Sequence, residues 1–345
     1  IRIGHIDGRW VLPPAGQPNY PRRFDMLVVD EAHNAAPSGA GKYATDSQRT
    51  QAIRLLAPHF EHKLFLSATP HNGYPGGFSA LLELLDDQRF ARAVRPEPDQ
   101  LAAVMVRRLK RELPPKWDGT PRYPERVIEA LEVPYTAEER QAHQDLKRYT
   151  ELRAAGARDD GERYATEFVL KLLKKRLFSS PEAFRITLGK HVESLANRRG
   201  APQAAPNPGL LRRMIDGLDE DVEVDSDVEW DAAADEAVSS AAALFRPLND
   251  EEASLLESLR AYGDRMSARG DSKLAALLAW LRQTLMPAGQ WNNERVILFT
   301  EYRATQKWLQ ERLVTAGFCG PGRVQLMYGG MPLDEREGVK NAFQA

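Results

Sequence analysis

Apolar and polar positions along the chain switch between two periods, and each switch marks an element. Met26-Leu27-Val28-Val29 is a short apolar run rich in β-branched side chains, and it passes straight into Asp30-Glu31-Ala32-His33. That pattern predicts a buried parallel strand whose carboxyl end delivers two adjacent carboxylates into a cleft. Upstream, Ile1, Ile3 and Ile6 alternate weakly and then break at Pro13-Pro14, which predicts a short hairpin and a loop. The spacing of Ile53, Leu55 and Leu56 predicts a helix over 47–57, closed by Pro58. Lys63-Leu64-Phe65-Leu66 then reads as a second strand, ending in Ser67-Ala68-Thr69-Pro70. One helix between two such strands makes a crossover unit with both polar ends on the same edge.

Further along, residues 126–134 alternate enough to be a strand returning to the sheet. Thr136 and Glu139 form a capping-box pattern that opens a helix through about Tyr149. Phe168, Val169, Leu172, Leu173 and Leu177 keep helical spacing, whereas Gly200–Gly209 reads as a linker. Helices follow from an Asn249 cap and from Asp271-Ser272-Lys273-Leu274. Val296-Ile297-Leu298-Phe299 before Thr300-Glu301-Tyr302 is a third apolar strand with a polar end. The helix after it, carrying Trp308, Leu309 and Leu313, should stop at Gly317. Val324–Tyr328 predicts one more strand, running into Gly329-Gly330 and a helix with Asp334 and Glu335 in its first turn.

Composition changes this picture little. The 345 residues suggest two or three domains, with 42% hydrophobic and 28% charged residues as in ordinary globular proteins. A net charge of −2 places any nucleic-acid surface in local patches. The single cysteine, Cys319, excludes an intramolecular disulfide framework and suits a reducing, cytoplasmic compartment. No apolar run approaches the roughly 18 residues of a membrane span.

Two segments depart from the average. Residues 163–199 carry nine Lys or Arg against three Glu, so Lys171, Lys174, Lys175 and Arg176 can meet a DNA backbone or form a solvated charged face. Residues 216–236 hold eleven acids in twenty-one positions, which predicts a disordered stretch able to screen the basic segment. Arg107, Arg108, Lys110 and Arg111 form a second basic cluster, able either to meet phosphates or to pair with Glu112 and nearby acids. The stretch Ala36–Lys42 superficially resembles a phosphate-binding loop. Tyr43 stands where that motif needs Ser or Thr, and the stretch follows the acidic strand instead of preceding it, so a surface loop is expected.

Asp30 and Glu31 allow two readings: a strand ending in a solvated turn, where acids are common, or a nucleotide site, which the whole string Asp30-Glu31-Ala32-His33 after an apolar strand favours. One carboxylate of such a pair can hold a hydrated Mg²⁺ on nucleotide phosphates while its neighbour orients or deprotonates the attacking water. Asp30-Glu31-Ala32-His33 followed by Ser67-Ala68-Thr69-Pro70-His71-Asn72-Gly73 resembles motifs II and III of superfamily 2 helicases, in the form typical of the bacterial Swi2/Snf2-like, HepA/RapA-like group. Residues 78–94 and Arg107-Arg108-Leu109-Lys110 with Leu113-Pro114-Pro115-Lys116 continue the likeness, which extends to the Snf2-type helicases of DISARM anti-phage systems. Ser272-Lys273-Leu274, Phe299-Thr300-Glu301-Tyr302 and Gly329-Gly330 with Arg336 and Phe343 resemble the start of the second Snf2 lobe.

The resemblance implies an α/β fold of two RecA-like lobes, each incomplete here, with a largely helical insertion between them. Lobe 1 would occupy 1–135, the insertion 136–270 and the start of lobe 2 271–345. It implies a DNA-dependent ATPase, a translocase on double-stranded DNA serving anti-phage defence, with ATP and Mg²⁺ as cofactors and other defence-system proteins as partners. Asp30 would hold Mg²⁺ through water and Glu31 would act as base. His33, Ser67 and Thr69 would couple hydrolysis to lobe movement, while Arg107, Arg108, Lys110, Lys171, Lys174, Lys175, Arg176, Thr300 and Tyr302 would face nucleic acid. The alternative is a non-catalytic, motor-like scaffold or DNA clamp in a defence or transcription-associated complex. No Gly-Lys-Ser or Gly-Lys-Thr occurs in the chain, and there is no Met start. The expectation is therefore a piece of a longer protein, with the P-loop lysine upstream, the arginine fingers of motifs V and VI downstream, and no ATPase activity of its own.

Overall fold

The computed structural model describes residues 4–6, 9–11, 25–37, 48–70, 75–197, 227–242, 244–318, 320 and 322–344. They fall into two compact units, 1–127 and 128–345, each built differently.

In the first unit, β1 (Gly4–Ile6) and β2 (Arg9–Val11) form the expected hairpin, with His5 opposite Trp10. β3 (Met26–Val29) pairs in parallel with β4 (His62–Phe65), Val28 opposite Leu64. Helix α1 (Gln48–Leu56) is the crossover between them and gives way at Pro58 to a 3-10 turn, as the sequence predicts. Helix α2 (Pro75–Leu85) buries Ala80, Leu81, Leu82 and Leu84, and a shorter helix, α3, covers Pro98–Val104. Ser79 hydroxyl accepts the Ala93 N–H at 2.9 Å and donates to Gly76 O at 3.1 Å, pinning the chain that leaves α2.

The strand expected to be buried on both faces is covered on one only. Met26, Val28, Leu64 and Leu66 share the open face and are each between 41% and 53% exposed. Two strands offer too little sheet for helices to sandwich.

The second unit is helical: α4 (Ala137–Ala155), α5 (Asp160–Ser179), α6 (Pro181–Asn197), α7 (Asp227–Ala241), α8 (Asp250–Arg269), α9 (Ser272–Leu285), α10 (Arg303–Leu313) and α11 (Leu333–Gln344). Caps fix the starts. Thr136 and Glu139 bond reciprocally, as do Asn249 and Glu252, and Asp271 accepts the Leu274 N–H at 2.8 Å. One core joins α4 to α8 around Phe168, Leu172, Leu173, Phe184, Leu188, Leu259 and Met266.

Inside that core lies an ionic network. Arg246 donates to Glu252 Oε1 at 2.5 Å and its N–H donates to Glu162 Oε1 at 2.5 Å; Arg153 lies 3.5 Å from Glu252 and over the Phe245 ring at 4.7 Å. Arg153, Glu162 and Glu252 are almost fully buried, so each charge depends on the others for solvation. Beside them the Tyr149 hydroxyl and His191 Nε2 are 2.8 Å apart, and burial pushes the His191 imidazole down to about 3, keeping it neutral.

Two expectations are corrected here. The acidic stretch is helical from Asp227 onward, because Ala234, Ala237, Val238 and Ala241 form a small apolar face that packs into the core. Residues 216–226 and the linker 200–209 lie outside the described residues. The segments 126–134, 296–299 and 324–328 take part in no strand, with Val127, Ile128, Ile297 and Phe299 exposed. An apolar run becomes a strand only where another strand meets its backbone, and none does so among the described residues. The α/β class is therefore met by one small parallel sheet in a mostly helical chain, and residues 271–345 belong to the same compact unit as the helices before them. Among the described residues no helix is long and apolar enough to cross a membrane.

Candidate active site

The parallel pair continues past its strands. Leu66 N–H donates to Val29 O at 2.9 Å and Ala32 N–H donates to Leu66 O at 2.8 Å, so the two polar ends stay in register. Between these bonds the chain turns at Glu31, whose backbone is left-handed (φ 45°, ψ 49°). A residue with a Cβ adopts that conformation at a cost of about 1 kcal/mol, and such outliers gather at functional sites. Asp30 Oδ1 supports the turn by accepting the Glu31 N–H at 2.9 Å. The next residues form a 3-10 turn, Ala32–Ala35, seated by buried Ala32 and Ala35, with Ala35 and Ala36 against Leu81. Thr50 on α1 donates to Ala36 O at 3.0 Å.

This turn swings His33 back over the end of β4. Its Nδ1 lies 3.0 Å from Ser67 Oγ and 3.2 Å from Glu31 Oε2. Ser67 Oγ also accepts the Thr69 N–H at 3.1 Å. An Nδ1–H shared between the Glu31 carboxylate and the Ser67 hydroxyl satisfies both contacts and leaves Nε2 as a lone pair. Asp30, Glu31, His33, Ser67 and Thr69 are thus gathered on one shelf. The Glu31 side chain is half exposed, so water reaches the carboxylates directly.

Among the described residues no three His, Cys, Asp or Glu side chains converge, which excludes an all-protein cage there. Mg²⁺ takes one or two carboxylates and fills its octahedron with water and phosphate oxygens, and Asp30, with one oxygen committed to its own turn, can serve as such a ligand.

The candidate nucleic-acid residues divide. Arg107, Arg108 and Lys110 are exposed, and Glu112 accepts the Leu109 N–H at 3.0 Å. On α5, Lys174 is exposed, Lys171 pairs with Glu167 at 3.0 Å, and Lys175 pairs with Glu301 at 3.6 Å. Arg176 and Tyr302 point inward: both are buried, and the guanidinium stacks on the ring at 3.8 Å. Thr300 is exposed at the lip of a cleft of about 400 Å³ lined by Lys175, Lys273, Phe299 and Trp308. There, burial raises the Asp271 carboxyl and lowers the Lys273 ammonium, which donates to Ser179 O at 3.0 Å. The Ala36–Lys42 loop from residue 38 onward, and His71-Asn72-Gly73, lie outside the described residues.

The left-handed Glu31 escaped the sequence reading, since nothing in Val29-Asp30-Glu31-Ala32 signals positive φ as Gly or Asn would. No family model, no curated protein and no solved structure matches the chain.

Proposed function

We propose that this chain contributes half of an ATPase site to a DNA translocase of Snf2 type acting in anti-phage defence. The observation that carries the reading is the 3.0 Å contact between His33 and Ser67, which ties the acid-bearing end of β3 to the hydroxyl-bearing end of β4. A hydrolytic motor needs its water-activating group linked to the element that moves, and this contact is such a link.

In this reading Glu31 accepts the proton of the attacking water, and His33 holds the Glu31 carboxylate in place through Nδ1–H. Asp30 is the ligand for Mg²⁺, which when bound neutralises developing charge on the phosphates. Ser67 senses the position of His33, and the Thr69 N–H fixes the Ser67 hydroxyl. Arg107, Arg108, Lys110, Lys171, Lys174 and Lys175 supply cations for the phosphates of duplex DNA.

The test is DNA-stimulated ATP hydrolysis by the protein as the cell makes it. Glu31→Gln should lower turnover about 100-fold or more while ATP still binds, since the lost group is a general base. Unchanged turnover in E31Q would contradict the proposal and leave the motor-like scaffold as the reading.

A further inference from the structure

The segment after α3 contains a structured loop whose tip has no part in the ATPase reading. Lys110 Nζ sits over the Tyr123 ring at 5.3 Å, and Arg122 Nε donates to Pro114 O at 3.2 Å, so the two limbs of 110–123 are pinned together. At the far end Lys116 N–H donates to Thr120 O at 2.9 Å and Gly119 N–H donates to Lys116 O at 2.9 Å. Gly119 takes the left-handed conformation (φ 82°) that closes a three-residue hairpin loop. The Asp118 carboxylate accepts both the Thr120 N–H at 2.9 Å and the Thr120 hydroxyl at 2.6 Å, locking the tip.

This rigid tip displays Trp117, which is 99% exposed. The turn's own hydrogen bonds hold the backbone and leave the indole face open to a partner. The surroundings select the partner. Residues 107–126 contain seven Lys or Arg against three Asp or Glu. Two of those three carboxylates, Glu112 and Asp118, are already engaged by the loop's own N–H and hydroxyl groups. Lys110 and Arg122 are engaged within the loop, which leaves an open aromatic face in the same segment as the exposed Arg107, Arg108 and Lys116, a composition suited to stacking on the bases of a single strand and neutralising its phosphates.

We propose that Trp117 is a stacking platform for an unpaired nucleobase, with Arg107, Arg108 and Lys116 holding the flanking phosphates. The inference rests on the DNA-motor reading and adds to it a single-stranded contact outside the ATPase shelf.

The test measures binding of the full chain to fluorescein-labelled oligothymidylate and to a blunt duplex of the same length, across a salt series. Trp117→Ala should weaken single-strand affinity about tenfold with an unchanged salt slope. Trp117→Phe should restore most of the loss, and Arg107→Ala with Arg108→Ala should reduce the slope. Unchanged affinity in W117A, or an equal loss on the duplex, would overturn the stacking role while leaving the motor reading to its own E31Q test. A wild-type chain that binds neither oligonucleotide at low salt would overturn both.

Discussion

The two units contrast in how they satisfy their backbones. Among the described residues from α4 to α8 each helix bonds its own backbone, so an apolar stripe needs only a neighbouring helix to bury it, and five helices share one core. The first unit depends on strands. β3 and β4 find each other across the α1 crossover, yet their open face leaves Val28 and Leu64 half in water. In the proposed reading the difference separates roles: dense helical packing stabilises one unit, and a spare parallel edge carries the acid pair in the other.

Substitutions sharpen this contrast. The largest effect belongs to the buried network, where Glu252→Ala strands Arg153 and Arg246. Unfolding of the helical unit, followed by far-UV circular dichroism in denaturant, should show about 3–5 kcal/mol lost. A loss below about 1 kcal/mol would mean that water reaches these charges.

The next prediction pairs equal truncations across the two units. Leu172→Ala in the helical core should cost about 2–5 kcal/mol, and Leu64→Ala on the open sheet face under about 1 kcal/mol. Equal costs would show that the sheet face is covered in solution.

A third effect is graded by pH and small near neutrality. Burial holds His191 down at about 3 from an ordinary 6.5, so below 6.5 the unfolded chain binds a proton that the folded chain refuses. Stability is therefore full above 6.5 and falls as pH drops towards 3, by about 1.4 kcal/mol per pH unit for one such group. His143, lowered chiefly by burial, adds to the same trend. Between pH 6.5 and 5 the slope should flatten in His191→Gln, and an unchanged slope would assign it to other groups.

How much of this was legible in the sequence follows the same division. Local signals held: the Thr136, Asn249 and Asp271 caps, the Pro58 stop, and Gly317 at positive φ all stand where short-range chemistry put them. The parallel pair and its common polar edge were also readable, since a single crossover leaves few alternatives. Non-local pairing was not. Arg153, Glu162, Arg246 and Glu252 look like ordinary surface charges until helices separated by about a hundred residues bring them together. The alanines of α7 were masked by the acids around them. Val296–Phe299 and Val324–Met327 carry strand-like composition, but a strand is made by its partner.

The most direct test of the central claim is a double-mutant cycle on His33 and Ser67, read as DNA-stimulated ATP turnover by the protein as the cell makes it. If their contact links the strand ends, His33→Ala and Ser67→Ala should each lower stimulation, and the double variant should be no worse than the more damaged single. Losses that simply add would contradict the link.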